Sequence, residues 1–420
     1  MKLNGRLSDI YDFQYGKGNE NPDNGGMYPV YGSNGIIGGY DKFNSEDSPV
    51  IGHIGANAGS VVFAKGKHFV TYNGVICKIK DCADKMYGYY ALLTSNLKKI
   101  AFGSAQPFVS YNSLNRILIY LPNIEKQKRI ADILSAYDEL IENNNKRIKI
   151  LEQMAENLYK EWFVRFRFPG HEKVALKKQT PSGWVISSNQ TDMRCPKNWS
   201  YDKFANLGSF IRGKNITAAE MIDGDIPVVS AGIEPSGYHN KQNITGNSLT
   251  ISASGANAGY LKYNLTDIWA ADCSYFQDDK KLWFVYNALK FLQPVISNLQ
   301  VGAAQPHVYP KNINKLCTII PDDETIEMYC DKVDTIYEQI KVLNKNNDNL
   351  IKQRDMLLPR LMSGKLEVRE KQEKVLEFKP KKTFVEFKNE FKAAARKEGG
   401  LTEQDLEDLY KAYCDDSLDE

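Results

Sequence analysis

One feature constrains this chain more than any other: it contains the same plan twice. Gly55-Ala56-Asn57-Ala58-Gly59 returns as Gly255-Ala256-Asn257-Ala258-Gly259, an offset of 200. Gly103-Ser104-Ala105-Gln106-Pro107 returns as Gly302-Ala303-Ala304-Gln305-Pro306 at an offset of 199. Gly16-Lys17 and Gly213-Lys214 match at 197, and Pro29-Val30 and Pro227-Val228 at 198. Matches in one order with a slowly drifting offset require two copies of one domain. Each copy opens with a Gly-rich, aromatic and β-branched region that reads as strands. In the first copy these lie near residues 49–54, 60–64 and 75–79, the last after an Asn73-Gly74 turn. A helix is expected over 85–100, then a loop holding Ala-Gln-Pro, then a short strand over 116–121. The second copy repeats the order, with a strand near 249–252, a helix near 282–297 and a strand near 316–320.

After each copy a proline introduces a long helix. Asn123 and Asp322 stand where N-caps belong, followed by acids that suit the positive end of the helix dipole. In the first helix Ile130, Leu134, Tyr137, Ile141, Asn144, Ile148, Leu151, Ala155, Leu158 and Trp162 step by fours and threes. In the second, Ile326, Tyr329, Val333, Ile336, Ile340, Leu343, Asn347, Leu350, Arg354, Leu357 and Leu361 do the same. These are heptad seams, and they predict that the helices pair as a coiled coil. Antiparallel pairing with numbers summing to 491 sets Asn144 against Asn347, Trp162 against Tyr329, and Arg354 against the Tyr137 ring. Pro359 predicts a kink or break before a stop at Gly364. The expected class is α+β: recognition-type domains at 1–122 and 201–321, long helices at 123–168 and 322–364, a linker at 169–200, and a tail at 365–420. The linker carries two Pro-x-x-Trp pairs, Pro181/Trp184 and Pro196/Trp199. The tail lies outside the repeat. Phe384, Phe387 and Phe391, and a stretch over 401–413, suit short helices. Its last twenty residues hold eight acids and one lysine, which would repel phosphates.

Catalytic motifs do not emerge. The chain has no GxGxxG after a strand, no Walker loop, no HExxH, no nucleophile elbow, and no Asn/Asp-Pro-Pro-aromatic pattern of an amino-methyltransferase. Its seven cysteines are scattered without a CxxC pair, which excludes a zinc spacing and suits reduced thiols. Five histidines are isolated, so no metal site is expected. No membrane-length apolar run or leader is evident, so the expected location is the cytoplasm. Net charge is +2, with weakly basic repeats: 12 Lys and Arg against 9 Asp and Glu over 1–122, and 15 against 12 over 169–322. Residues suited to phosphates or base edges are Asn34, Lys42, Asn57, Lys65, Lys67 and Gln106 in the first copy. In the second they are Arg212, Lys214, Lys241, Asn257, Lys262 and Gln305. For each of these, a structural turn or solvated charge is an equal alternative. The repeated glycines favour strand turns over phosphate cradles.

Several stretches resemble one family. Glu125-Lys126-Gln127-Lys128-Arg129-Ile130-Ala131-Asp132-Ile133-Leu134, Leu140-Ile141-Glu142-Asn143-Asn144-Asn145 and Leu158-Tyr159-Lys160-Glu161-Trp162-Phe163 are similar to the first conserved region of Type I restriction-modification specificity subunits. The stretch from Gln353 to Gly364 resembles the second conserved region, and that from Tyr28 to Gly38 a recognition-domain opening. Glu-Thr-Ile at 324–326 departs from the usual Glu-Gln pair, and the acidic tail is atypical. The resemblance implies two domains that read the halves of a split duplex DNA target, with the helices setting their spacing. It also implies two docked methyltransferase subunits that supply S-adenosylmethionine and the catalytic residues, with restriction subunits able to join. This chain would bind no cofactor and catalyse nothing. A structural tether and a self-sufficient methyltransferase are the rival possibilities.

Overall fold

The structure, a computed structural model, describes residues 3–18, 25–103, 106–180, 193–302 and 306–368, with Gln404 and Glu407 from the tail. The features expected around Trp184 and along the tail lie outside the described residues.

In the first copy, β1 (Tyr11–Tyr15), β2 (Tyr28–Gly32), β3 (Gly35–Tyr40), β4 (Ser45–Gly52), β5 (Val61–Val70) and β6 (Gly74–Ile79) form one sheet in the order β1-β6-β4-β5-β2-β3. The ten-residue β5 joins its halves, pairing antiparallel with β4 and parallel with β2. Helix α1 (Lys85–Thr94) follows and stops short of the expected span. Asn96 takes the left-handed conformation (φ 48°), which asparagine tolerates and a helix does not. Helix α2 (Ile124–Tyr159) then runs 36 residues, capped by Asn123, and ends in a π turn over Lys160–Val164.

Residues 169–200 are not a loose linker where described. β7 (Leu176–Gln179) and β8 (Met193–Pro196) pair antiparallel, and Trp199 is fully buried. Its ring packs on Phe168 and Phe163, so the tryptophan of the second Pro-x-x-Trp pair belongs to the core.

The second copy splits the sheet that the first keeps whole. β9 (Ile211–Arg212), β10 (Ile226–Val229), β11 (Gly237–His239), β12 (Ser248–Ser252), β13 (Leu261–Asn264), β14 (Trp269–Ala270) and β15 (Cys273–Phe276) form two sheets, β9-β15-β12-β13 and β11-β10-β14. The counterpart of β5 is broken between Asn264 and Trp269, where an isolated bridge joins Ile268 to Ile244 and the Asp267 carboxylate accepts the Gly246 amide (2.7 Å). Helix α3 (Leu282–Phe291) ends before Pro294, which opens a separate short helix, Gln293–Ser297.

Helix α4 (Asp323–Met362) is continuous through Pro359 and stops at Gly364 (φ 66°). The expected break does not occur. Only three helical residues follow the proline, and two of them, Leu361 and Met362, are buried. Their burial offsets one lost backbone hydrogen bond. At the other end, Asp322 caps α4 by accepting the Thr325 amide (2.9 Å) and also accepts the Trp199 indole N–H (2.7 Å). Burial pushes this carboxyl up, but the Thr325 amide and hydroxyl and the Trp199 indole outweigh it, so it titrates below the ordinary value. A depressed folded pKa adds stability that is present above the unfolded value and lost as pH falls through the folded one. Asp322→Ala is therefore expected to lower stability by about 1–3 kcal/mol at neutral pH. The gap from the native chain should close below about pH 4, the unfolded range. Urea midpoints between pH 7 and pH 3 check this, and a gap that is constant with pH contradicts it.

Candidate nucleic-acid interface

The two motifs that mark the repeat meet in space, in both copies, through the same backbone bonds. The Gly55 amide donates to the Pro107 carbonyl (2.9 Å), and the Gly255 amide to that of Pro306 (3.0 Å). Val109 and Val308 donate to the carbonyls of His53 and Ala253, each at 3.0 Å. Gly59 and Gly259 donate to Gly52 and Ser252, each at 2.8 Å. Gly59 lies at φ 83°, and a Cβ there would come within 2.6 Å of the Leu97 carbonyl carbon, so this turn needs glycine twice over. The amides of Gly55, Ala58, Gly59 and Ser60 are all satisfied within the protein. That leaves the motif a turn rather than a phosphate cradle.

Asn34 and Asn57 come together at this turn, with Asn57 Nδ2 donating to Asn34 Oδ1 (2.5 Å) and both side chains exposed. Gln106, next in the chain to the Pro107 that Gly55 contacts, is exposed, while its counterpart Gln305 lies outside the described residues. Asn257 is half-buried. Lys42 and Lys67 are exposed, the first 6.0 Å from the Tyr40 ring and the second 4.6 Å from that of Phe43. Lys214 lies 6.0 Å from the Trp269 ring, and Lys241 is exposed. Three of the basic candidates bond acidic or carbonyl groups of the protein. Lys65 is paired with Glu142 of α2, Lys262 donates to the Ile233 carbonyl (3.1 Å), and Arg212 is paired with Asp272. The Lys65 pairing is invisible in the sequence because its partner lies 77 residues away in a different element.

The long helices run antiparallel, since rising numbers on α2 meet falling numbers on α4. Asn144 Nδ2 donates to Asn347 Oδ1 (2.9 Å), and Asn347 Nδ2 donates to Asn145 (2.9 Å). The Trp162 and Tyr329 rings meet edge-on at 5.8 Å. Val333, Ile340 and Leu343 are buried, whereas Ile141, Ile148, Leu151, Leu158, Ile336 and Leu350 are half-buried. Arg354 turns to Asp138 (2.7 Å) and Asp355 (2.8 Å) rather than to the Tyr137 ring, because a carboxylate offers the guanidinium charge as well as hydrogen bonds.

Sequence reasoning missed the residues by which the helices grip the domains. Asp138 accepts the Tyr90 hydroxyl (2.6 Å), and Glu152 that of Tyr263 (2.6 Å). Burial raises the Tyr263 pKa, and the neighbouring Glu152 raises it further. Trp283 donates to Asp334 (3.0 Å) and stacks on Tyr337 at 3.6 Å. Their only signal in the sequence was a row of acids beside each seam.

Among the described residues no group of His, Cys, Asp and Glu is arranged to hold a metal, and no helix is long and apolar enough to cross a membrane. Residues 4–153 and 196–353 match the family described as Type I restriction modification DNA specificity domain. The MjaIX specificity subunit of Methanocaldococcus jannaschii is 28% identical over 310 residues, covering 69% of this chain and 71% of that protein. The HindI specificity subunit of Haemophilus influenzae is 24% identical over 335 residues, covering 62% and 71%. The crystal structure of the S subunit of a Type-I restriction-modification system from M. genitalium superposes with a TM-score of 0.55 at 20% identity, covering 88% of this chain and 99% of that one, which supports the fold. A DNA specificity domain matched in each half, on a fold shared with a known S subunit, makes this chain a member of the DNA-binding specificity subunits of Type I restriction-modification systems.

Proposed function

We propose that the chain reads a split duplex target, one half with each domain, and carries two methyltransferase subunits on a coiled-coil spacer formed by α2 and α4. S-adenosylmethionine and the catalytic residues belong to those subunits, restriction subunits join the same complex, and this chain works in the cytoplasm without catalysing a step. The observation that carries this proposal is the one site backbone built twice, each copy bonded to the same helix pair. At about 1.5 Å per residue the helices are roughly 55–60 Å long, enough to hold two readers about one DNA turn, roughly 34 Å, or more apart.

The docking surface follows from helix periodicity. Asp138, Glu142, Glu152 and Glu156 face the domains. Leu140, Ile150 and Met154 lie on the opposite side of α2 and are at least half exposed, as are Val342 and Met356 on α4. An apolar face on a solvated helix pair suits a large permanent partner.

Co-expression with a cognate methyltransferase subunit, followed by base-resolved methylation mapping, tests the function. A bipartite asymmetric methylated motif is expected, with DNA affinity that falls steeply with salt. The chain alone should transfer no methyl groups. Leu140→Asp should weaken association with the methyltransferase by about tenfold or more while leaving thermal stability unchanged, because it buries a charge only in the complex. A single continuous motif contradicts two readers, and unchanged association contradicts this docking face.

A further inference from the structure

The two copies share a backbone where their motifs meet and differ in what they mount on it. Gly16 and Lys17 donate to Gly74 (2.9 Å) and Val70 (3.0 Å), and Gly213 and Lys214 donate to Cys273 (2.9 Å) and Ala270 (2.9 Å). The residues before the two glycines, Tyr15 and Arg212, are thus equivalent. Ile54 and Ser254 are equivalent too, each bridging the proline loop, at Phe108 and at His307.

In the first copy this place is aromatic. Tyr15 stacks on Tyr111 at 3.8 Å and on His53 at 4.3 Å. In the second it is polar. Arg212 binds one carboxylate oxygen of Asp272, and the Ser254 hydroxyl binds the other. Arg212 is bonded through one guanidinium nitrogen and its side chain remains 40% exposed, which leaves other N–H groups available. Lys214 follows it on the chain, and Lys311 lies over Tyr309, which stacks on His307. The surroundings therefore favour a polyanion.

An ion pair with side chains 40% and 30% exposed is screened by solvent, so the Arg212–Asp272 pair has a modest structural rationale. It has a strong one for recognition. A pinned guanidinium loses less rotamer freedom on binding, and its planar pair of N–H groups matches two adjacent acceptors. In the major groove, guanine presents that pair through O6 and N7. We propose that Arg212 reads a guanine in the half-site of the second domain, with Asp272 and Ser254 as positioning residues, and that the first domain makes no equivalent guanine contact.

This proposal deepens the two-reader function and rests on it. The test is base-resolved methylation by the full complex, with competition binding to every single-base variant of the target. A native complex without a bipartite site overturns the two-reader function and this proposal with it. Given a bipartite site, Arg212→Ala should reduce the preference for guanine at one position of the second half-site by about 10- to 100-fold. All other positions should stand. Arg212→Lys keeps the charge but loses the fork, and should relax the same position even if the alanine variant folds poorly. Asp272→Asn should relax that position partially, with the first half-site unchanged. Three results overturn the proposal: a second half-site without guanine on either strand, an unchanged motif, or weakening equal across all sequences with a salt slope reduced by about one, the mark of a phosphate contact.

Discussion

Exchanging residues 1–121 for the first domain of another specificity subunit is expected to rewrite one half of the methylated site and leave the other intact. The cut falls where the first copy closes on itself. Asn4 and Leu121 exchange hydrogen bonds at 2.9 and 2.7 Å, and Gly5–Arg6 pairs with Leu118–Ile119. Asn123, which caps α2, stays with the helix. The donor domain must still meet Asp138 and Glu142 on α2, so it should carry a hydroxyl near Tyr90 and a base near Lys65. Sequencing of methylated DNA from cells that carry the hybrid reads the result. A change in both halves, or in neither, is incompatible with independent readers.

Phe163→Ala is expected to cost about 3–5 kcal/mol, the range for removing a buried phenylalanine. Phe163 sits in the π turn that ends α2 and is 2% exposed. Its ring meets Phe284 at 4.8 Å, Tyr329 at 5.1 Å, Tyr159 at 5.3 Å and Trp199 at 5.5 Å. One side chain thereby joins α2, α3, α4 and the segment after β8, so the cavity cannot collapse from any single side. Denaturant midpoints followed by tryptophan fluorescence check the loss, since Trp199 and Trp162 both contact the site. A loss below about 1 kcal/mol would mean the neighbours close the gap.

The sequence disclosed the features that depend on period and position. The repeat, the caps at Asn123 and Asp322, and the pairing of Asn144 with Asn347 all follow from local chemistry plus one arithmetic relation. Features decided by long-range competition stayed hidden. Nothing in residues 261–270 signals that the second copy breaks a strand that the first keeps, since both copies place an aspartate carboxylate on a glycine amide at this edge, Asp47 on Gly66 and Asp267 on Gly246. Pro359 is a helix breaker by propensity, and the burial of Leu361 and Met362 overrides it. Lys65 and Arg212 look like free cations until folding brings Glu142 and Asp272 beside them.

Each long helix leaves one domain and ends against the other. The end of α2 is packed into the second domain through Phe163 and Trp199, and a side chain at Gly364, past the end of α4, would strike the Tyr120 ring of the first domain at 2.9 Å. Within residues 3–364 the two domains are thus tied by both helices, and each domain is held at two places far apart in the sequence. The second domain takes Glu152 and Phe163 from the first helix as well as Asp334 from its own. The spacing of the two domains is therefore fixed at both ends of the helix pair, and a change at either end, Phe163 or Gly364, acts on the domain that is remote in sequence.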